Sequence, residues 1–122
     1  MKIKTIMLSL AALTLASTQA FSYVVYNQTG TAYRVNDKNF MGMDVTVPAY
    51  SSAACSHEAR GCWGNMDFIV YSPSDKVGCR WKGKIDNGTG YYYVITSTGR
   101  SWPFDSCRME LYRDNQIVKS SK

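Results

Sequence analysis

The sequence predicts an all-β protein, a small disulfide-bonded β-sandwich of about seven short strands. Three observations lead there. Apolar and polar residues alternate with period two along most of the chain beyond residue 22, as half-buried strands require. Gly, Pro, Asn and Asp gather between the alternating runs, where tight turns need them. The four cysteines, Cys55, Cys62, Cys79 and Cys107, all follow an apolar leader, and an even count in a small exported domain reads as disulfides.

The leader is MKIKTIMLSLAALTLASTQAFS. Lys2 and Lys4 give it a positive start, Ile6 to Ala16 an apolar middle, and small residues a cleavage region. Residues 1–22 therefore read as a secretory signal peptide, cut after Ala20 or Ser22. The apolar stretch is shorter than the ~20 residues that span a bilayer, and no later stretch is apolar enough to do so. Removing the leader lowers the basic count from fourteen to twelve against nine acids, so the net charge becomes +3 and not +5. Such a charge mildly favours anionic surfaces but falls short of a nucleic-acid-binding signature. The remainder suits one domain, residues 23–118, with 119–122 as a frayed tail. The expected location is the periplasm or the extracellular space.

Seven runs read as strands in chain order. YVVYN (23–27) and TAYRVN (31–36) flank the turn Gln28-Thr29-Gly30, and MDVTV (43–47) ends at Pro48. MDFIVYS (66–72) is rich in β-branched and aromatic residues and runs into Ser72-Pro73-Ser74-Asp75, a type I turn composition. CRWKGKI (79–85) and YYYVIT (91–96) are joined through an Asn87-Gly88 hairpin signal, and CRMELYR (107–113) closes the set. Turn signals at this spacing suit an immunoglobulin-like or jelly-roll-like sandwich, with a small barrel as the alternative.

Alternation also orders the cysteines. Cys79 shares a strand face with Trp81 and Ile85, and Cys107 with Met109 and Leu111, so both point inward. A Cys79–Cys107 bridge can then cross the core, leaving Cys55–Cys62 to close a local loop. In the chain-entropy model the two contribute about 3.5 and 2.5 kcal/mol respectively.

The loop CSHEARGC (55–62) holds the only histidine, His57. A closed zinc site needs four ligands, commonly at C-x2–4-C spacing; six residues separate these cysteines and no second histidine exists. Ser56-His57-Glu58 has the residue types of a hydrolase triad, but adjacent side chains diverge and cannot form the relay. Asp44, Asp67 and Glu110 fall opposite the core face, where two could pair as glycosidase carboxylates only across a cleft. No phosphate loop or calcium loop occurs. No cofactor, metal or catalytic residue is expected.

Two features read as binding surfaces. Arg80, Lys82 and Lys84 alternate along one strand and place three cations on one face, with Arg108 near them; cations there also guard a sheet edge against pairing. STGRSWPFDSC (97–107) sets Arg100, Trp102 and Phe104 in a loop, where rings beside a cation suit a sugar face or an interface hot spot. The same rings folded inward would instead cap the sandwich. Asn27-Gln28-Thr29 and Asn87-Gly88-Thr89 match the glycosylation pattern in turns where a glycan has room. The expected function is that of an exported non-enzymatic module binding a protein or glycan, anionic by the stripe; an inhibitor of a secreted hydrolase is one form of it. The rivals are a small secreted hydrolase using His57 and a structural or toxin-like surface protein.

Overall fold

The computed structural model describes residues 21–39, 42–56, 61–86, 88 and 90–120. Among them nine strands form: β1 (Phe21–Asn27), β2 (Tyr33–Asp37), β3 (Asp44–Val47), β4 (Ser52–Ser56), β5 (Gly64–Tyr71), β6 (Val77–Ile85), β7 (Tyr91–Ser97), β8 (Cys107–Arg113) and β9 (Gln116–Ser120). They make two sheets, ordered β4-β1-β7-β8-β9 and β3-β2-β5-β6. The sheets stay separate and pack face to face, so the fold is a β-sandwich and not a barrel.

The strand count corrects the sequence reading of seven. β4 is built from SAACS, whose only buried side chain is Cys55, so neither alternation nor β-branched content marks it. β9 takes up residues read as a frayed tail from Lys119: it pairs antiparallel with β8 as far as Ser120. The Asp114-Asn115 turn before it has φ of 53° and 60°, the positive pair a two-residue type I′ hairpin demands and Asx residues tolerate. β1 starts at Phe21, two residues earlier than alternation indicates, and Ser22 is fully buried.

Inward-facing residues of both sheets meet in one core. Tyr23 (β1), Phe68 (β5), Trp81 (β6) and Tyr93 (β7) form its aromatic centre, with ring centroids 4.9–6.2 Å apart and mostly edge-to-face. Such pairs contribute ~0.5–1.5 kcal/mol each beyond area burial. Val25, Val35, Val70, Ile95, Met109 and Leu111 fill around them.

Cys79–Cys107 joins β6 to β8, and so one sheet to the other, with Cα atoms 5.3 Å apart. Cys55–Cys62 ties the end of β4 to the approach to β5. The Trp81 indole N–H donates to the Lys119 carbonyl at 3.2 Å, a second tie between the sheets, here from β6 to β9. Two disulfides in so small a domain suit an oxidising compartment. No helix among the described residues is long and apolar enough to cross a membrane.

Asn27 is a structural residue. It is 1 % exposed; its Nδ2 donates to the carbonyls of Thr31 and Val47 at 2.8 and 3.0 Å, and its Oδ1 accepts from the Thr29 backbone and hydroxyl. That geometry leaves no room for a glycan on Nδ2, so the Asn27-Gln28-Thr29 pattern match is a structural turn and not an acceptor site. Asn87 lies outside the described residues.

Candidate functional site

Two turns from opposite sheets meet at one end of the sandwich. The β5–β6 turn is closed by Ser72 N–H to the Lys76 carbonyl at 2.8 Å and Asp75 N–H to the Ser72 carbonyl at 2.9 Å. Asp75 takes the left-handed conformation there, φ 62°. The β7–β8 connection, residues 98–106, is held by its own polar groups: Gly99 N–H on the Ser97 hydroxyl, Arg100 N–H on the Thr98 hydroxyl and Phe104 N–H on the Ser101 carbonyl, at 2.9–3.2 Å. Gly99 has φ 78°, which a side chain would strain. The Trp102-Pro103 peptide is cis. The Cys79–Cys107 bridge lies just beyond both segments and clamps them together.

A hollow of about 350 Å³ opens between them. Tyr33 and Ser106 are part of its wall and share a 3.0 Å hydrogen bond between their hydroxyls. Hydroxyls dominate the rest of the lining: Thr31, Ser72, Ser74, Ser97 and Ser101. The charged members are Lys76 and Arg100, with no acid among the lining residues. The Lys76 ammonium stands 4.4 Å over the Trp102 ring, and the Arg100 guanidinium 5.0 Å over Phe104. Neither cation has a carboxylate partner among the described residues. Trp102 is 57 % and Phe104 58 % exposed, so these rings do not cap the core.

The six residues nominated from the sequence separate into two groups. Arg100 and Trp102 line the hollow, and Phe104 sits outside it beneath Arg100. Arg80, Lys82 and Lys84 lie on the outer face of β6, an edge strand, opposite Ile69, Asp67 and Asn65 of β5. Lys82 and Lys84 border a more open depression of about 560 Å³ with Lys119, Asp67 and Asn39; Arg80 borders neither. Ile69, on that outer face, is only 9 % exposed. Arg80 and Asn36 flank it across the ladder, and long cationic stems cover apolar surface while their heads stay wet.

Sequence reasoning misses Lys76, Tyr33 and the serine wall. One signal points to part of this: a Cys79–Cys107 bridge forces the residues before each cysteine into one neighbourhood, so 72–78 and 97–106 must meet. Tyr33, from β2, carries no such mark.

Several other ionisable groups among the described residues have structural explanations. Arg34 and Asp44 form a bidentate pair at 2.9 and 3.0 Å, and that hydrogen bonding holds the Asp44 carboxyl below its ordinary range. Glu110 accepts the Tyr112 hydroxyl on the outer face of the other sheet, so it shares no cleft with Asp44 or Asp67. Asp37 is buried; its Oδ1 accepts the Asn39 and Asp67 backbone N–H groups at 3.1 and 3.0 Å. Burial pushes its carboxyl above the ordinary range, and pushes the Tyr23 and Tyr93 phenols far above theirs. Tyr92 stacks on Tyr112 with centroids 5.3 Å apart and bonds Asn115 through its hydroxyl, so that pair is occupied with its own partners.

Among the described residues no three His, Cys, Asp or Glu side chains gather as a metal site. His57, Glu58 and Arg60 lie outside those residues. No family model, curated protein or solved structure matches this chain.

Proposed function

We propose that this protein is an exported, non-catalytic binding module that captures its partner at the end of the sandwich carrying Trp102. One observation carries the reading: Lys76 and Arg100, two cations without acidic partners among the described residues, stand over two rings that are more than half exposed, on segments clamped by a disulfide. Aromatic and arginine side chains held rigidly in the open supply contact area at low ordering cost, the composition of an interface hot spot. The mildly basic charge steers an anionic partner toward it. The leader and the disulfides support a site of action in the periplasm or outside the cell, and an inhibitor of a secreted hydrolase is one form such a module takes.

Affinity capture from envelope or host extract tests this, with the oxidised domain and its Trp102→Ala variant side by side. Loss of the captured partner with the variant supports the assignment, and equal capture by both refutes it.

A second reading has its own observation. β9 is an edge strand on which Ile117 and Val118 are 52 % and 53 % exposed, a surface on which copies could pair as a structural assembly. Light scattering over a concentration series distinguishes the two, since a binding module of the first kind stays monomeric.

A further inference from the structure

Unlike the depression near Lys82, the hollow beside Trp102 is lined by a wall of hydroxyls and two cations with no acid among them. We infer that it is a subsite for one carboxylated sugar ring, a pyranose bearing a carboxylate; this rests on the reading that the Trp102 end is the binding end. Volume comes first. About 350 Å³ is near the lower bound of the ~300–1,000 Å³ usual for small-molecule sites, which admits one or two rings and not the flat face of a folded partner. Chemistry comes second. Sugar hydroxyls both donate and accept, and the hydroxyls of Ser72, Ser74, Ser101 and Ser106 with Tyr33 do the same. The Tyr33–Ser106 contact and the contact of Ser74 with Ser72 leave the Tyr33, Ser106 and Ser74 oxygens further lone-pair capacity; Ser72 also accepts the Lys76 N–H, and Ser101 makes no side-chain bond among the described residues.

The charge selects among sugars. Arg100 offers a planar fork of donors that matches a carboxylate, and Lys76 a compact ammonium. Held over their rings at 5.0 and 4.4 Å, both are positioned before a ligand arrives, which reduces the entropy lost on binding. Trp102 keeps more than half of its surface exposed with Lys76 over its ring, and the remaining indole surface suits the C–H face of a pyranose. The depression near Lys82 lacks this combination: it has no ring of this kind and includes Asp67, which would repel the same carboxylate.

Titration followed by NMR tests the subsite. The probes are glucuronate, galacturonate and N-acetylneuraminate, with glucose as the neutral counterpart, acetate as the bare carboxylate and a short Asp/Glu peptide as the protein source. At least one sugar acid should shift the Trp102 indole N–H signal and bind tenfold or more tightly than glucose and acetate. Arg100→Gln and Lys76→Gln should each weaken it about tenfold with unchanged melting temperature, while Lys82→Gln leaves it unaltered. Acetate binding as tightly as every sugar acid would reduce the site to a simple anion site and overturn the proposal. So would tighter binding of the peptide, or no sugar acid exceeding glucose. If sugar acids fail while Trp102→Ala still abolishes capture from extract, the binding end stands and only its ligand class falls. If capture survives that variant, both fall.

Discussion

The two ends of β6 carry cations in contrasting settings. At the Val77 end, Lys76 and Arg100 line a hydroxyl-walled hollow, stand over exposed rings and meet no acid among the described residues. About 17 and 23 Å along the strand at ~3.3 Å per residue, Lys82 and Lys84 sit with Lys119 around a more open depression that includes Asp67. Both regions are basic, but charge alone does not make a site. At the Lys84 end the cations guard an edge strand, while Arg80, midway along β6, covers the apolar surface of Ile69. At the Val77 end charge is combined with preorganised rings and a concave wall.

The contrast depends first on the brace. Replacing Cys79 and Cys107 together by Ala should cost about 3.5 kcal/mol in denaturant unfolding, from the loop entropy returned to the unfolded chain. The Val77 end should be the part whose NMR signals broaden, with those around Lys84 less affected. Uniform broadening would show that the bridge supports the whole sandwich and not that end.

At the other end the sensitive group is Asp37, which accepts two backbone N–H bonds. Asp37→Ala should destabilise by about 2 kcal/mol, at ~1 kcal/mol for each bond lost. The pH dependence has a definite sign. Burial raises the folded carboxyl above its ordinary value of 3.8, so the folded state holds that proton more tightly than the unfolded chain. Its stabilising effect is complete below the unfolded value and disappears as pH rises through the raised folded value. Asp37→Asn keeps the Oδ1 acceptor and never ionises, so equilibrium unfolding should show this component of the pH dependence removed.

Binding separates the ends further. Trp102→Ala should weaken partner capture more than tenfold, about 1.4 kcal/mol, with thermal stability nearly unchanged because the ring lies outside the core. The smallest effect belongs to the lysine end. Lys82→Glu with Lys84→Glu should change capture less than twofold at physiological salt; a loss comparable to that of Trp102→Ala would restore the basic stripe as the binding surface.

Much of this architecture is legible in the sequence wherever side chains alternate. Cys79, Trp81 and Ile85 of β6 and Cys107, Met109 and Leu111 of β8 are all buried on the face that period two assigns to the core, and the pairing of Cys79 with Cys107 follows from the same pattern. β4 escapes because Ser52, Ala53, Ala54 and Ser56 bury little, and its existence depends on the ladder β1 offers. β9 escapes because its two apolar residues face solvent and its start depends on the backbone of Asp114 and Asn115. The site is legible only in part. Arg100 and Trp102 are conspicuous as a cation and a ring in a Gly/Pro loop. Lys76 and Tyr33 become neighbours of that loop through strand order, which local composition does not encode.

One pairing sets a schedule for the molecule. β1 lies between β4 and β7 and runs parallel to β7, with Tyr23 opposite Tyr91. A ladder between residues 68 positions apart closes late, because chain entropy opposes long-range contacts until their partners exist. Until β7 has been synthesised the first strand has one neighbour at most, and the five-stranded sheet has no centre. The four-stranded sheet, whose strands all lie between Tyr33 and Ile85, can pair before that point, so one half of the sandwich is ready while the other still waits for β7.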